Sequence, residues 1–244
     1  MKRIFADLHL YSDFKSLELF SRLVMKASRL GYSLVGVTLP SGLTDETRKQ
    51  MLGISAEASV DLVFRVDLKP QTPEELLRSL RKHRRKFELI AVSSMSKSVA
   101  RQAAKDRRVD FLNFPGLDFR RRFFDFAEAE LASNSLASLE IDARPLLMLE
   151  GVSRVKLLSC LRREVITAQN FGVPVVFSSG VSEEFLMRKP LELAALASLF
   201  DLSGASAVDA VSKNPAGVVK RNREKLSSGF VAPGIRVVRR GRDC

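Results

Sequence analysis

Short apolar runs alternate along the chain with longer stretches in which apolar residues recur every three or four positions. The runs read as strands and the stretches as helices. A first strand, Ile4 to His9, enters a polar loop, and period-two alternation puts Asp7 and His9 on one face of it. Further strands are expected at 33–38, 61–67, 89–93, 109–114, 137–141 and 172–179. Helical spacing is expected at 17–30, 44–51, 96–106, 123–134, 152–171 and 190–200, with another helix opening at Thr72. Gly31 suits a helix C-cap, and Thr72-Pro73-Glu74-Glu75 supplies an N-cap, a first-turn proline and a capping-box glutamate.

Seven strand–helix repeats of this kind imply parallel strands covered by helices. The strands are apolar on both faces and end in polar residues: Asp7 and His9, then Thr38, Asp67, Ser93, Asn113, Asp142 and Ser178. A (β/α) barrel places its ligand-facing groups at such strand ends. A doubly wound sheet is the alternative, but neither G-x-G-x-x-G nor G-x-x-x-x-G-K-[ST] occurs. The expected fold is therefore α/β, a TIM-like barrel. It is irregular at its C-terminal end, where 205–212 reads as helix, Asn214-Pro215 opens a last helix to Leu226, and no eighth strand appears. The division expected is a barrel domain over 1–226 and a basic tail over 227–244.

Composition narrows the class. The chain has 244 residues, 45% hydrophobic and 28% charged, which suits a folded protein of about one barrel. No apolar run is long enough to span a bilayer, and Asp7 and His9 interrupt any signal-peptide core. Only Cys160 and Cys244 are present, so no disulfide framework is expected and a reducing cytoplasm fits.

Charge changes the picture most. The net charge is +12 with a pI near 10.1, which predicts attraction to polyanions. Residues 81–122 carry +9 and 213–244 carry +7, leaving the rest mildly acidic at −4. Runs such as Arg81-Lys82, Arg84-Arg85-Lys86 and Arg120-Arg121-Arg122 have few acids within a helical turn, and like charges at that spacing repel. Lys220, Arg221 and Arg223, with Arg239, Arg240 and Arg242 in the tail, complete the set expected to bind RNA. Arginine predominates, which favours bidentate phosphate contacts. Lys105-Asp106-Arg107-Arg108 and Arg162-Arg163 read as ordinary solvated faces. With no Trp and two Tyr an aromatic stacking platform is not expected, and Phe114, Phe119, Phe123, Phe124 and Phe126 are assigned to the core. Recognition of folded RNA by shape and backbone follows.

The strand-end chemistry is thinner. Asp7-Leu8-His9-Leu10-Tyr11 resembles the opening D-x-H-x-H of the polymerase-and-histidinol-phosphatase (PHP) superfamily, whose barrels hold metal clusters that hydrolyse phosphoesters. Tyr11 stands where a ligand histidine belongs, and the only other histidine, His83, lies among five cations in an expected helix interior. A multi-histidine cluster cannot be assembled. A carboxylate Mg²⁺ site from Asp7 and Asp67 is the remaining metal reading, against a buried hydrogen-bonded Asp7–His9 pair. No G-x-S-x-G elbow accompanies the serines at 93–94 and 178–179, and Cys160 reads as a packed helix residue. No catalytic residue, metal or cofactor is expected.

Several short motifs recur in a recognisable order: Phe5-Ala6-Asp7-Leu8-His9, Val176-Phe177-Ser178-Ser179-Gly180, Pro190-Leu191-Glu192, Ser212-Lys213-Asn214-Pro215 and Val219-Lys220-Arg221-Asn222-Arg223. Together they resemble the archaeal ribonuclease P protein component 3 family, the counterpart of the thirty-kilodalton eukaryotic subunit. The resemblance implies a PHP-like barrel that catalyses nothing alone. It implies partnership with the ribonuclease P RNA, precursor tRNA and a small ferredoxin-like protein subunit, in removing the 5′ leader. The alternative is a divergent PHP-type metal-dependent phosphoesterase.

Overall fold

The computed structural model describes residues 3–11, 17–40, 42–116, 118–232 and 235–237. In chain order its elements are β1 (Ala6–Tyr11), α1 (Leu17–Leu30), β2 (Leu34–Thr38), α2 (Asp45–Glu57), β3 (Asp61–Leu68) and α3 (Pro73–His83). There follow β4 (Leu89–Ser93), α4 (Lys97–Lys105), β5 (Phe111–Asn113), α5 (Phe126–Ser135), β6 (Ser138–Asp142), α6 (Ala143–Met148) and α7 (Gly151–Asn170). The chain continues through β7 (Val175–Ser178), α8 (Pro190–Ala197), α9 (Gly204–Ala210), α10 (Lys213–Leu226) and a hairpin, β8 (Phe230–Ala232) with β9 (Ile235–Arg236). Helix starts follow local chemistry. Thr72 accepts from Glu75 N at 3.2 Å ahead of Pro73, and the side chains of Thr44, Ser96 and Asp125 cap α2, α4 and α5 likewise.

The first seven strands are all parallel and lie in sequence order, as the repeat predicts. The sheet curls into a nearly closed barrel. At one end β1 and β7 meet through a single parallel bridge, Leu10 with Val181, reinforced by Tyr11 N to Val181 O at 2.9 Å. At the other end the α9–α10 turn fills the gap: Ala6 N donates to Val211 O at 2.9 Å and Asn214 Nδ2 to Val175 O at 2.8 Å. An eighth strand is replaced by these contacts.

Two apolar layers result. Inside the barrel Ala6, Leu8, Leu34, Val63, Leu89, Ala91, Phe111 and Val176 pack together, and Val218 and Val219 of α10 stopper the N-terminal ends of the strands. The second layer lies between strands and helices. The barrel therefore has an open mouth at the C-terminal strand ends and a base closed by α10. No helix among the described residues is long and apolar enough to cross a membrane.

Several expectations are corrected. Four residues of β1 (Asp7 to Leu10) span what three of β2 (Val35 to Val37) span, so β1 carries a bulge. Ala6 and Leu8 face the interior, His9 and Tyr11 face the mouth, and Leu10 joins the outer layer. Asp7 and His9 thus do not share a face. Gly36 lies against the bulge, where a Cβ would sit 2.6 Å from Leu8 O. Helix α2 runs six residues past Met51, α5 begins at Phe126 rather than Phe123, and α6 was not anticipated. His83 is the last residue of α3, buried against Phe87, and not in a helix interior. Helix α10 starts at Lys213, so Asn214 is not its cap but a tie to β7. Phe126 is exposed, although the other four phenylalanines assigned to the core are buried or packed on it.

Candidate nucleic-acid interface and the barrel mouth

The strand ends converge on a dense charged network. Arg65 from β3 and Glu140 from β6 are fully buried and form a bidentate pair, with Nη1–Oε1 at 2.5 Å and Nη2–Oε2 at 2.6 Å. Arg65 Nε also donates to Asp67 Oδ1 at 2.6 Å and Nη1 to Leu8 O at 3.1 Å, the carbonyl released by the bulge. Its guanidinium lies over the Phe111 ring at 5.5 Å. The His9 ring bridges two acids, with Nδ1 at 2.7 Å from Asp142 Oδ1 and Nε2 at 3.0 Å from Asp67 Oδ2. Asn113 Nδ2 donates to Glu140 and Asp142, each at 3.0 Å, and Ser178 Oγ to Glu140 at 3.1 Å. Tyr11 and Thr38 hydroxyls approach Asp67 at 3.4 Å.

This geometry sets the protonation states. Burial and Arg65 oppose a charge on His9, but the carboxylates of Asp142, Asp67 and Glu140 outweigh them and lift its pKa to about 10. Burial raises Asp67 and Asp142, yet Arg65 and His9 hold both below the ordinary carboxylate range. The site is thus two cations clamped among three carboxylates.

His9, Glu140 and Asp142 each place one ligand atom within 4.8 Å of the others. Their donors do not suit a divalent ion, because the Arg65 guanidinium already stands among these carboxylates as the countercharge, taking both Glu140 oxygens and Asp67 Oδ1. Glu140 is already saturated by Arg65, Asn113 and Ser178. The Asp7–Asp67 pairing fails too. Asp7 Oδ1 accepts from Ser179 N at 3.0 Å and His9 N at 3.4 Å, whereas Asp67 belongs to the Arg65–His9 network. Asp7 and His9 are therefore linked through the His9 backbone, not as a side-chain pair.

The basic clusters separate. Arg120 and Arg121 are exposed on the loop after β5, at the mouth end. Arg122 is nearly buried and spent on Glu164, at 2.7 and 2.5 Å, and on the carbonyls of Phe114 and Pro115. Arg81, Lys82, Arg85 and Lys86 are exposed where α3 reaches the base. Arg84 between them is tied to Asp110 at 2.6 Å and to the carbonyls of Phe87, Glu88 and Arg108. On α10, Lys220 is exposed and Arg223 is bound to Asp61 and Glu88. Arg221 reaches Leu136 O at 2.9 Å. Arg239, Arg240 and Arg242 lie outside the described residues.

Sequence reasoning missed Arg65 and Glu140 at the mouth. The available signal was a charged residue inside each of two otherwise apolar strands, where only a paired charge is tolerated. It also dismissed Arg107, which the fold brings to the same end of the barrel as 81–86 and α10.

The RNase P subunit p30 family model matches residues 5–227. The chain is 30% identical to the Ribonuclease P protein component 3 of Methanosarcina barkeri over 215 residues, covering 88% of this chain and 87% of that protein. It is 25% identical to the protein of the same name from Methanococcoides burtonii, covering 97% and 95%. A chain in a cryo-EM structure of archaeal Ribonuclease P with mature tRNA superposes with a TM-score of 0.80 at 18% identity, over 96% of this chain and 99% of that one. The histidinol phosphate phosphatase of Lactococcus lactis superposes at 0.54 with 12% identity, over 89% and 93%. Both structural likenesses speak to the barrel fold. Since the family match begins at the first strand and runs past the end of α10, the chain belongs to the RNase P subunit p30 family.

Proposed function

We propose that this chain is a protein subunit of ribonuclease P that binds the ribonuclease P RNA and precursor tRNA through its basic exterior and supports removal of the 5′ leader. The observation that carries the reading is the division of charge. The polar groups at the mouth are consumed by one another, while a set of cations on the outside, Arg121 excepted, has no acid within ion-pair distance among the described residues. The RNA-facing set narrows to Arg81, Lys82, Arg85, Lys86, Arg120, Arg121 and Lys220, of which only Arg121 has an ion-pair partner, Asp118. The tail arginines Arg239, Arg240 and Arg242 stay in the set on charge alone. Arg84, Arg122 and Arg223 become structural, and Arg221 is tied only in part.

The isolated chain catalyses nothing in this reading, needs no cofactor, and acts in the cytoplasm with a small ferredoxin-like protein partner. A PHP-type phosphoesterase would need the His9 ring nitrogens and the Glu140 oxygens free, and both are engaged, the ring by Asp142 and Asp67 and the carboxylate by Arg65. Reconstitution tests the proposal. Adding the chain and its partner proteins to ribonuclease P RNA should accelerate precursor-tRNA cleavage, and leaving it out should reduce the rate at matched Mg²⁺. Unchanged cleavage on omission, or hydrolysis of phosphoesters by the chain alone after chelation and metal reloading, would sink it.

A further inference from the structure

At the base of the barrel, cations from the two basic sequence regions meet. Lys225 lies one helical turn beyond Arg221 on α10, on the same face. Arg221 Nη2 is 3.6 Å from Asp110 Oδ1, and Arg84 Nη1 is 2.6 Å from Asp110 Oδ2. Arg84 also holds Arg108 O at 3.1 Å, which brings the Arg107–Arg108 turn to the same place. One carboxylate, Asp110, therefore serves two guanidiniums and the Asn222 amide, which donates at 2.8 Å. Among the described residues no carboxylate lies within 4.0 Å of Arg107 or Lys225, and both are exposed. Arg221 Nε is buried with no acceptor. The crowding is also visible in titration. Partial burial and Arg221 lower the Lys225 pKa, Asp110 opposes them, and Arg84 and Arg107 lower it further.

We propose that the base, and not the mouth, is the principal RNA-docking face, and that Arg107, Arg221 and Lys225 form a phosphate-binding site at its centre, flanked by Arg85 and Lys86. Cations held this close repel one another in the free protein, and a backbone phosphate relieves the repulsion while releasing its own counterions. The Arg221 guanidinium is half-buried and holds one carbonyl closely, with Asp110 only at 3.6 Å, and Lys225 offers a point charge beside it. Closure of the base by α10 makes the surface rigid. It is set by Asn222 on Glu88 O and Asp110 and by Arg223 on Asp61 and Glu88. The site is thus pre-ordered for a folded RNA and does not depend on a loop closing over it. This inference rests on the ribonuclease P reading above, which supplies the RNA.

The test uses the intact chain and a ribonuclease P RNA transcript, with affinity measured across a salt series. Arg107→Gln/Lys225→Gln should weaken binding at least tenfold at physiological salt and flatten the log K against log salt slope by about 2, one per lost contact. Lys69→Gln/Lys156→Gln, which removes the same charge from exposed positions at the mouth end, should change affinity less than threefold. Without RNA, Lys225→Gln should melt at the same temperature or higher, since it removes a repelled charge; a residue with a merely structural role would melt lower. Steep salt dependence in the wild type with an unchanged base variant overturns the inference and leaves the subunit reading standing. The base is then free for another occupant, such as an acidic protein segment. Salt-insensitive or absent binding by the wild type overturns the subunit reading itself.

Discussion

The two ends of the barrel treat charge in opposite ways. At the mouth, Arg65 and His9 are enclosed by Asp67, Glu140 and Asp142, and each cation has two carboxylate partners within 3.0 Å. At the base, Arg84 and Arg221 share the carboxylate of Asp110, and Arg107 and Lys225 lie beside them with no carboxylate of their own within 4.0 Å among the described residues. The difference teaches where binding free energy is available. A buried, saturated network has already exchanged its hydration for internal partners, so an incoming ligand gains nothing by replacing them. An exposed and repelling cluster gains from any anion that arrives. Paired charges hold the fold together, and unpaired ones are left for a partner.

The sharpest way to break this comparison is at the Arg65–Glu140 pair. Glu140→Gln leaves a buried guanidinium with one carboxylate fewer, and the expected loss of stability is ~3–5 kcal/mol in urea unfolding. Arg65→Met should cost as much, because it strands the acids. The double variant Arg65→Met/Glu140→Leu should recover part of the loss, as apolar replacement of a whole buried pair often does. Additive losses in the double variant would mean that the pair does not act as a unit.

His9 gives the next effect, and it depends on pH. Its folded pKa, about 10, lies above the ~6.5 of an unfolded histidine. The stabilisation is complete below about pH 6.5 and drains away as pH rises toward 10, amounting to a few kcal/mol across that window. His9→Gln should therefore be less stable than wild type at pH 6 and should converge on it near pH 10. Asp67 and Asp142 act at the other end: their depressed pKa values give stability that is present above about pH 4 and lost as acid protonates them. A constant gap between the two proteins from pH 6 to 10 would refute the imidazolium assignment.

Much of the frame was legible in the sequence, and the reasons it stopped are physical. Seven strands were found in order because apolar runs with polar ends repeat, and caps such as Thr72 are local chemistry. The bulge was invisible because alternation presumes two residues per repeat, and the extra residue in β1 leaves no compositional mark. Charge pairing failed for the same local reason. The acids that hold Arg84, Arg122 and Arg223 lie 26, 42 and 162 residues away, beyond the reach of a search within one helical turn. The base cluster was missed in reverse: Arg107 and Lys225 sit in different sequence runs, and only α10 crossing the barrel brings them together.

The bulge itself offers a smaller perturbation. Gly36 faces Leu8, and an added Cβ would lie 2.6 Å from the Leu8 carbonyl oxygen and 2.8 Å from its Cα. Backbone cannot yield as a side-chain tip can, so Gly36→Ala should cost ~2 kcal/mol. By shifting Leu8 O it should also loosen the bond that carbonyl makes to Arg65. If the variant is as stable as wild type and its fall in stability from pH 6 to 10 is unaltered, the bulge is not what positions the mouth.

The smallest effect sharpens the comparison most, because it contrasts neighbours on one helix. Arg223 and Lys225 are both cations of α10, two residues apart. Arg223 is held at 2.6 Å by Asp61 and by Glu88, and the hydrogen bonds to Asp61 chiefly raise its pKa above the ordinary arginine value. Lys225 has no such partner among the described residues, and its pKa moves the other way. Arg223→Ala should therefore destabilise the fold by ~1 kcal/mol, the scale of a partly exposed network, while RNA affinity changes less than threefold at fixed salt. Lys225→Gln should do the reverse, losing affinity and no stability. Thermal melts and a binding isotherm on the two single variants read both quantities. If both lose RNA equally, charge at the base acts as a diffuse field and the division between paired and unpaired cations has no functional meaning.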